Sequence, residues 1–307
     1  MDLSAVITQM GILFLLIAIG FAAAKCGVFP EGTNRVLAQL VIVVTNPCMI
    51  LNSALSGDRP LQNSEVLLLT GVAVAAFALL VAVGQGLPRL LRVAPDERGV
   101  YTFMTTFPNV GFMGFPVVRA LYGEGAVFYA AIFNLVFQFL VYTYGVALLT
   151  KREGERRFPW KVLFSPVILA SVVAYGCYFT GFRAPAVVTQ TLGMLGNVTS
   201  PVSMLVIGIA LSAVPLRAVF GNWRLYALNA ARLLLLPVSV YFLLRLWIDN
   251  VLILGITVVI LGMPFATLTT LLSAKYGKRT ELAASGVFLS TLMSMITIPL
   301  LMLILFR

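Results

Sequence analysis

The sequence predicts an all-α integral membrane protein with ten transmembrane helices, built as two inverted repeats of five helices each. Three observations lead to this fold class. The 307 residues are 60% hydrophobic and only 10% charged, and the mean hydropathy is +1.01. Long apolar runs follow one another along the chain, each able to cross roughly 30 Å of hydrocarbon as a helix. Landmarks in the first half recur in the second half at a single offset of 154 residues.

Ten apolar runs account for most of the chain. Because they are continuous and do not alternate with polar residues, they favour membrane helices over the strands of a barrel. The first run follows Asp2 without a basic residue, so we expect it to be retained as a span and not cleaved as a signal peptide. The expected spans, numbered 1 to 10, lie near residues 3–24, 36–55, 65–87, 99–119, 125–149, 162–181, 188–212, 223–246, 250–274 and 281–305.

The two predicted repeats cover residues 1–153 and 154–307. Each contains five spans, and because five is odd, the second repeat must cross the membrane in the opposite sense to the first. Inverted repeats of this kind are typical of membrane proteins that alternate access to one central site. The shared landmarks are glycines and prolines: Gly27 with Gly181, Pro47 with Pro201, and Gly123 with Gly277.

Basic residues are distributed unevenly between the two ends of the spans. Of the 21 Lys and Arg residues, 15 lie on the side of loop 150–161, five lie on the opposite side, and Arg232 lies inside span 8. Short basic loops remain in the cytoplasm, so we expect loop 150–161 to be cytoplasmic and both termini to lie outside the cell (inner) membrane. The net charge of +10 follows from this bias. Because the basic residues flank the spans and do not form one patch, we expect contact with the lipid bilayer and no nucleic acid partner.

The sequence lacks the residue constellations of enzymes and metal sites. It has no histidine and its three cysteines are scattered, so neither a metal nor another cofactor is expected. No serine–histidine or paired-carboxylate arrangement is present, and we expect a protein that is not an enzyme. A channel remains an alternative, although no charged ring or carbonyl-filter motif is visible. A ligand sensor would look the same in sequence.

Spans 4 and 9 are expected to be interrupted near their middle. Span 4 contains the run TTFPNVGFMGFP (105–116), and span 9 contains LGMPFATLTT (261–270). Proline removes a backbone donor and clashes with the preceding turn, and glycine permits unusual backbone angles. The freed N–H and C=O groups cannot face lipid, so they should line a cavity enclosed by protein. The expected helix-breaking residues here are Pro108, Gly114, Pro116 and Gly262.

The two interruptions predict a binding site where spans 4 and 9 cross. At the offset of 154 residues, Pro264 corresponds to Val110. The N-terminal ends of the half-helices present partial positive charge and unpaired N–H groups, which favour an anionic ligand. The alternative is that the breaks only shape helix packing. The residues expected to bind the ligand are Thr105, Thr106, Asn109, Gly111, Met263, Pro264, Thr267 and Thr269, with Asn46 from span 2.

Other polar and helix-bending residues lie inside the spans. Asn134, Gln138 and Tyr142 recur at four-residue spacing on one face of span 5, where they either line the ligand path or make hydrogen bonds between helices. Pro47 and Pro201 are expected to bend spans 2 and 7. A role as kinks of a scaffold and a role in ligand contact are both open for these prolines.

Arg232 lies deep in span 8. An arginine inside a membrane is costly and indicates a function, here as a counter-charge to an anion. The alternative is that its side chain reaches toward the cytoplasm or bonds carbonyl groups near Asn229.

Three motifs resemble one family. The segment PNVGFMGFPVV (108–118) is similar to the Asn-x-Gly-x-x-Gly-x-Pro signature of the auxin efflux carrier family, which contains plant PIN-type carriers and bacterial organic-acid permeases. The segments GMPFATLTTLLSAKYG (262–277) and TNPCMIL (45–51) resemble the same family. Asn109 matches the family's crossover asparagine in span 4. Span 9 departs from the pattern, because many members have a second asparagine four residues after the proline, where this chain has Leu268.

The resemblance covers the whole chain and implies a fold and a mechanism. The fold is that of bile-acid symporters and PIN-like carriers, with crossover helices 4 and 9. Helices 1, 2, 6 and 7 would form a scaffold, and helices 3–5 and 8–10 would form a transport domain that moves like an elevator. A homodimer through the scaffold helices is the expected assembly. The short central loop is that of bacterial members.

The expected function is secondary transport of a small organic anion. An anion that leaves an inside-negative cell gains about 2.3 kcal/mol per charge per 100 mV, so efflux needs no other energy source. A proton-coupled carrier usually has a titratable residue in mid-membrane, whereas all carboxylates here lie at span ends or in loops. A sodium- or proton-coupled organic-acid symporter remains the alternative within the carrier class.

Overall fold

The computed structural model describes residues 3–55, 61–150, 164–214 and 219–306. These residues form helices joined by short connections. In chain order the helices are α1 (Leu3–Lys25), α2 (Thr33–Leu55), α3 (Asn63–Leu90), α4 (Arg98–Thr106), α5 (Val110–Tyr122), α6 (Ala126–Leu149), α7 (Pro166–Thr180), α8 (Ala186–Ser212), α9 (Trp223–Arg245), α10 (Val251–Leu261), α11 (Leu268–Lys275) and α12 (Thr280–Leu305).

Every predicted span contains a helix, and the bounds agree to within a few residues. Spans 4 and 9 each contain two helices, α4 with α5 and α10 with α11. Seven helices are long and apolar enough to cross a membrane, namely α1 from Ile7 onward, α2, α3, α6, α8, α9 and α12. The helices α5, α7 and α10 are apolar but shorter. The prediction of an all-α, multi-pass membrane protein is confirmed at this level.

The helices α1, α2, α7 and α8 pack against one another. The helix α8 lies along α1 and also contacts α2, and α2 contacts α7. Small residues permit the close approach of α1 and α8. A Cβ atom on Gly20 would lie 2.7 Å from the carbonyl oxygen of Leu205, and one on Gly208 would overlap the backbone of Ile17. Glycine at both positions therefore lets the two backbones touch.

The short helices α4 and α10 lie at the centre of the protein. All residues of α4 from Val100 to Thr106 and all residues of α10 from Ile253 to Leu261 are buried. Because these residues are buried on every side, other helices and not lipid surround them. The helix α4 packs on α3, α6 and α12, and α10 packs on α3, α5, α6, α9 and α12. The two helices that end at the breaks are thus held from every side.

Three helices widen into a π turn shortly before a proline. A proline ring clashes with the carbonyl group four residues earlier and offers no N–H to it. A wider turn moves that carbonyl group away from the ring without ending the helix. The π turns and their prolines are Val41–Thr45 before Pro47, Val110–Gly114 before Pro116, and Ala231–Leu235 before Pro237. Pro201 lies inside α8, which continues as an α-helix through it.

Candidate binding site

The two interrupted spans meet through their backbones. Between α4 and α5 the chain is extended at residues 107–109, and between α10 and α11 it is extended near residues 264–266. The N–H of Asn109 donates to the carbonyl oxygen of Pro264 at 2.8 Å, and the N–H of Ala266 donates to that of Phe107 at 2.9 Å. This antiparallel bridge is centred on Pro108 and Phe265. Two N–H groups and two carbonyl groups of the breaks therefore satisfy one another.

The bridge changes the register expected from the sequence. The equivalent donors Asn109 and Ala266 lie 157 residues apart, and the equivalent acceptors Phe107 and Pro264 have the same separation. Pro264 thus takes the place of Phe107 and not that of Val110, as the offset of 154 predicts. The reason is length, because three residues separate α4 from α5 whereas six separate α10 from α11.

Side chains join the two breaks beside the bridge. The Nδ2 of Asn109 donates to the Oγ1 of Thr267 at 3.0 Å. The Nδ2 of Asn46 on α2 donates to the carbonyl oxygen of Gly111 at 3.2 Å. Four residues predicted for the site from three separate parts of the chain are therefore brought together.

A cavity of about 120 Å³ adjoins these residues. One wall is apolar, and no charged side chain among the described residues lines it. A water molecule has about 30 Å³ of liquid volume, so the space suits a small molecule of a few heavy atoms. The lining residues with polar side chains are Asn46, Asn109, Asn134, Gln138, Tyr142, Ser165 and Thr267.

Asn134 offers hydrogen bonds that nothing in the described structure takes. Its side chain lines the cavity and is 1% exposed, yet neither its Nδ2 nor its Oδ1 has a partner. The Oδ1 of Asn46, which also lines the cavity, has none either. A buried polar group without a partner costs about 1–3 kcal/mol. A polar ligand in the cavity would supply the missing partners.

Five residues predicted for the site lie outside the cavity lining. The hydroxyl groups of Thr105 and Thr106 donate to carbonyl oxygens of their own helix, those of Tyr101 and Thr102, each at 2.8 Å. Met263 and Pro264 are buried within the second break, and Thr269 is buried on α11. The helix-breaking residues Gly114, Pro116 and Gly262 likewise do not line the cavity.

Ser165 and Leu268 are among the lining residues that were not predicted as ligand contacts. Ser165 precedes α7, and its hydroxyl accepts the N–H of Ile168 at 3.4 Å, as at the start of many helices. No feature of the sequence distinguishes it from an ordinary helix cap. Leu268 also lines the cavity, and it stands where many members of the resembled family have their second asparagine. The second break therefore presents an apolar side chain at that point.

Arg232 is buried at 1% exposure and does not reach the cavity. Its Nε donates to the carbonyl oxygen of Thr105 at 2.9 Å, and its Nη1 donates to that of Leu261. These carbonyl groups belong to the last turns of α4 and α10. The expected bonds to carbonyl groups are present, but they lie on spans 4 and 9 and not near Asn229.

Sequence comparisons identify proteins similar to this chain. The sequence model of a family described as "Membrane transport protein" matches residues 5–159 and 155–302. An uncharacterized transporter of Methanocaldococcus jannaschii is 24% identical, over 94% of this chain and 95% of that protein. Another, of Methanothermobacter thermautotrophicus, is 27% identical, over 93% and 94%. A Rhizobium meliloti protein named "Putative malonate transporter" is 22% identical, over 93% and 91%.

Proposed function

The chain belongs to the membrane transport protein family, the auxin efflux carrier family that its motifs resemble, and we propose that it is a secondary carrier of a small organic anion. The observation that carries this proposal is the cavity at the two breaks. The helices α5 and α11 begin at Val110 and Leu268, and Gly111 and Leu268 in their first turns line the cavity. The N-terminal ends of helices present partial positive charge and unpaired N–H groups. An enclosed site with these groups and no carboxylate among its described lining residues favours an anion.

The size and chemistry of the cavity favour a short carboxylate. About 120 Å³ is the space of roughly four water molecules. The amides of Asn134 and Gln138 can donate to carboxylate oxygens, and the apolar wall suits a short carbon chain. One similar protein is named for malonate, a three-carbon compound with two carboxylates. Malonate is therefore the first compound to test.

We further propose that the ten spans form two inverted repeats. Two observations support the equivalence of the halves: Gly27 and Gly181 end α1 and α7 with the same φ of 74°, and the backbone bridge is symmetric at its centre. The packing of α1 on α8 matches that of α7 on α2 when the halves are exchanged. In this arrangement α1, α2, α7 and α8 form the scaffold, and α3–α6 with α9–α12 form the moving transport domain. The scaffold would also mediate dimerisation.

The cavity indicates which side of this carrier is open. With loop 150–161 in the cytoplasm, Tyr142 and Ser165 lie toward the inner ends of α6 and α7. Residues 151–161 of that loop lie outside the described part of the chain. At the opposite ends of the same helices, the hydroxyl groups of Tyr129 and Tyr178 are 3.0 Å apart and hydrogen-bonded. We propose that this arrangement is closed on the outside and gives access from the cytoplasm.

A binding experiment tests the site. Because a ligand that binds the folded state raises apparent stability, malonate should raise the unfolding temperature of the purified protein. Asn134→Leu should abolish that rise by removing the amide that lines the cavity. Thr143→Ala is the matched control, since Thr143 lies on the same helix, donates to Phe139 at 2.8 Å, and does not line the cavity. An equal rise in wild type and Asn134→Leu would place malonate elsewhere.

Flux in reconstituted vesicles separates a carrier from the two other classes. A carrier shows malonate flux that saturates with concentration. Single-channel conductance without saturation would establish a channel, and binding without any flux would establish a sensor. Replacing sodium by choline would abolish the flux of a sodium-coupled symporter.

A further inference from the structure

The breaks remove the usual donor from a carbonyl group in the last turn of α4 and from one in the last turn of α10. In a continuous helix, the carbonyl oxygens of Thr105 and Leu261 would accept from the N–H groups of Asn109 and Phe265, four residues later. The N–H of Asn109 instead donates to Pro264, and that of Phe265 donates to the hydroxyl of Ser290 at 3.1 Å. Both carbonyl groups therefore need new donors inside a buried region.

The guanidinium group of Arg232 donates hydrogen bonds to both carbonyl groups. Arg232 donates from Nε to Thr105 and from Nη1 to Leu261, so it joins the C-terminal ends of α4 and α10. Among the described residues, it is the charged side chain that is buried. At the offset of 154, its counterpart in the first half is Ala78, which can supply no charge. A single arginine from the second repeat thus holds the broken helices of both repeats.

The ends of the four half-helices carry two opposite sets of partial charge. Each helix end carries about half an elementary charge, negative at the C-terminal end and positive at the N-terminal end. The two C-terminal ends of α4 and α10 amount to about −1, which one guanidinium balances. The N-terminal ends of α5 and α11 amount to about +1, and no carboxylate among the described lining residues balances them.

We propose that Arg232 determines the preference of the cavity for anions. It acts as a positioning residue, because it touches neither the cavity nor a ligand within it. By cancelling the negative ends of α4 and α10, it leaves the positive ends of α5 and α11 to dominate the field in the cavity. Without this charge, the opposite ends of the four half-helices would largely cancel. The inference deepens the proposed function, since it assigns the charge selectivity of the same site to one residue.

A cysteine placed in the cavity can report this field without any knowledge of the substrate. The variant Thr267→Cys would be made in a chain whose natural cysteines are replaced by serine, namely Cys26, Cys48 and Cys177. The rate of alkylation by uncharged N-ethylmaleimide follows the thiolate, an anion in the place that a substrate would take. We expect the half-maximal rate at a pH well below that of an ordinary thiol, about 8.5. Arg232→Gln should raise this half-maximal pH by about one unit.

Two further variants separate charge from structure. Arg232→Lys keeps the positive charge and should leave the half-maximal pH within a few tenths of the value measured with Arg232 in place. Arg224→Gln is the matched control on the same helix, because Arg224 also donates from Nε to a carbonyl oxygen, that of Leu91 at 3.0 Å, but lies partly exposed at the end of α9. This control should leave the half-maximal pH of alkylation unchanged. Arg232→Met replaces Arg232→Gln if the latter does not fold.

The outcomes are distinct from those of the transport assays. An unchanged half-maximal pH in Arg232→Gln or Arg232→Met overturns the inference, even if the protein transports malonate. The same shift in Arg232→Lys as in Arg232→Gln would assign a structural role alone and would also overturn it. A shift in Arg232→Gln with recovery in Arg232→Lys supports the inference, even if malonate is not the substrate.

Discussion

The two broken spans exchange the same backbone hydrogen bonds, but they differ in length and in their side chains. The first break is three residues long and places Asn109 beside the cavity, whereas the second is six residues long and places Thr267 and Leu268 there. After the first break, α5 packs on α1 and α8 and accepts a hydrogen bond from Asn46 of α2. After the second, α11 packs on α12 and α4.

This difference indicates a division of labour between the halves. The first break is followed by a helix that contacts both the proposed scaffold and the proposed transport domain, so in the proposed mechanism it links ligand binding to their relative movement. The second break leads into α11, which packs on helices of the proposed transport domain, and its Ala266 and Thr267 line the cavity. Backbone symmetry is thus retained where hydrogen bonds must be satisfied, and side-chain symmetry is lost where a ligand is recognised.

The largest effect should come from a substitution of Arg232, whose side chain bonds the helix ends at both breaks. Arg232→Met would leave the carbonyl groups of Thr105 and Leu261 buried without donors, at about 1–3 kcal/mol each, so the free energy of unfolding should fall by several kcal/mol. Hydrogen exchange should accelerate at residues 105–111 and 261–268 together. Thermal unfolding and exchange mass spectrometry measure these changes, with Arg224→Met as the control. Acceleration at one break alone would show that Arg232 does not join them.

Removing each side of the bond between Asn109 and Thr267 compares the breaks directly. Asn109→Ala should weaken malonate binding roughly ten- to a hundredfold, because a hydrogen bond to a charged group contributes about 1.5–3 kcal/mol. Thr267→Ala should weaken it less, since the hydroxyl already accepts from Asn109. Both variants should fold, and calorimetric titration measures the two affinities. A greater loss in Thr267→Ala would reverse the assignment of the first break as the principal ligand contact.

A smaller effect is expected when the second break is made to resemble the first. Leu268→Asn adds an amide to the apolar wall of the cavity, at the position where many family members have asparagine. We expect malonate to bind severalfold more tightly, because the amide can donate to a carboxylate oxygen. Leu271→Asn is the control, since Leu271 is exposed on the same helix. Equal or weaker binding in Leu268→Asn would show that the apolar wall itself contributes to recognition.

The smallest effect should lie in a loop contact away from both breaks. Arg279 forms an ion pair with Asp96, and its hydrogen bond holds the pKa of Asp96 below the ordinary value. A lowered carboxyl pKa stabilises the fold at pH values above the ordinary pKa of the group. This stabilisation is lost as the pH falls through the lowered pKa. Arg279→Gln should therefore lower the unfolding temperature slightly and equally from pH 5 to pH 8. A large loss, or one that varies across this range, would contradict a solvent-exposed role.

The sequence predicted the helices and the breaks because both are local. An apolar run of about 20 residues marks a span, and Pro108 and Pro264 in such runs mark interruptions. The register of the breaks depends on a three-residue difference in length, which an offset read from distant glycines does not detect. Likewise, the partners of Arg232 and the lining role of Ser165 depend on which helices pack together. Thr105 and Thr106 lie near a break and were predicted for the site, but their hydroxyls donate to carbonyl groups of their own helix and do not line the cavity.

We propose that a small anion crosses the membrane through this cavity with the membrane potential as its energy source. Malonate efflux from vesicles with an imposed potassium diffusion potential, and with equal pH on both sides, tests it most directly. We predict flux that saturates, rises with the potential, and falls in Asn109→Ala. Flux that ignores the potential and stops when the pH gradient is removed would establish proton coupling and contradict the account.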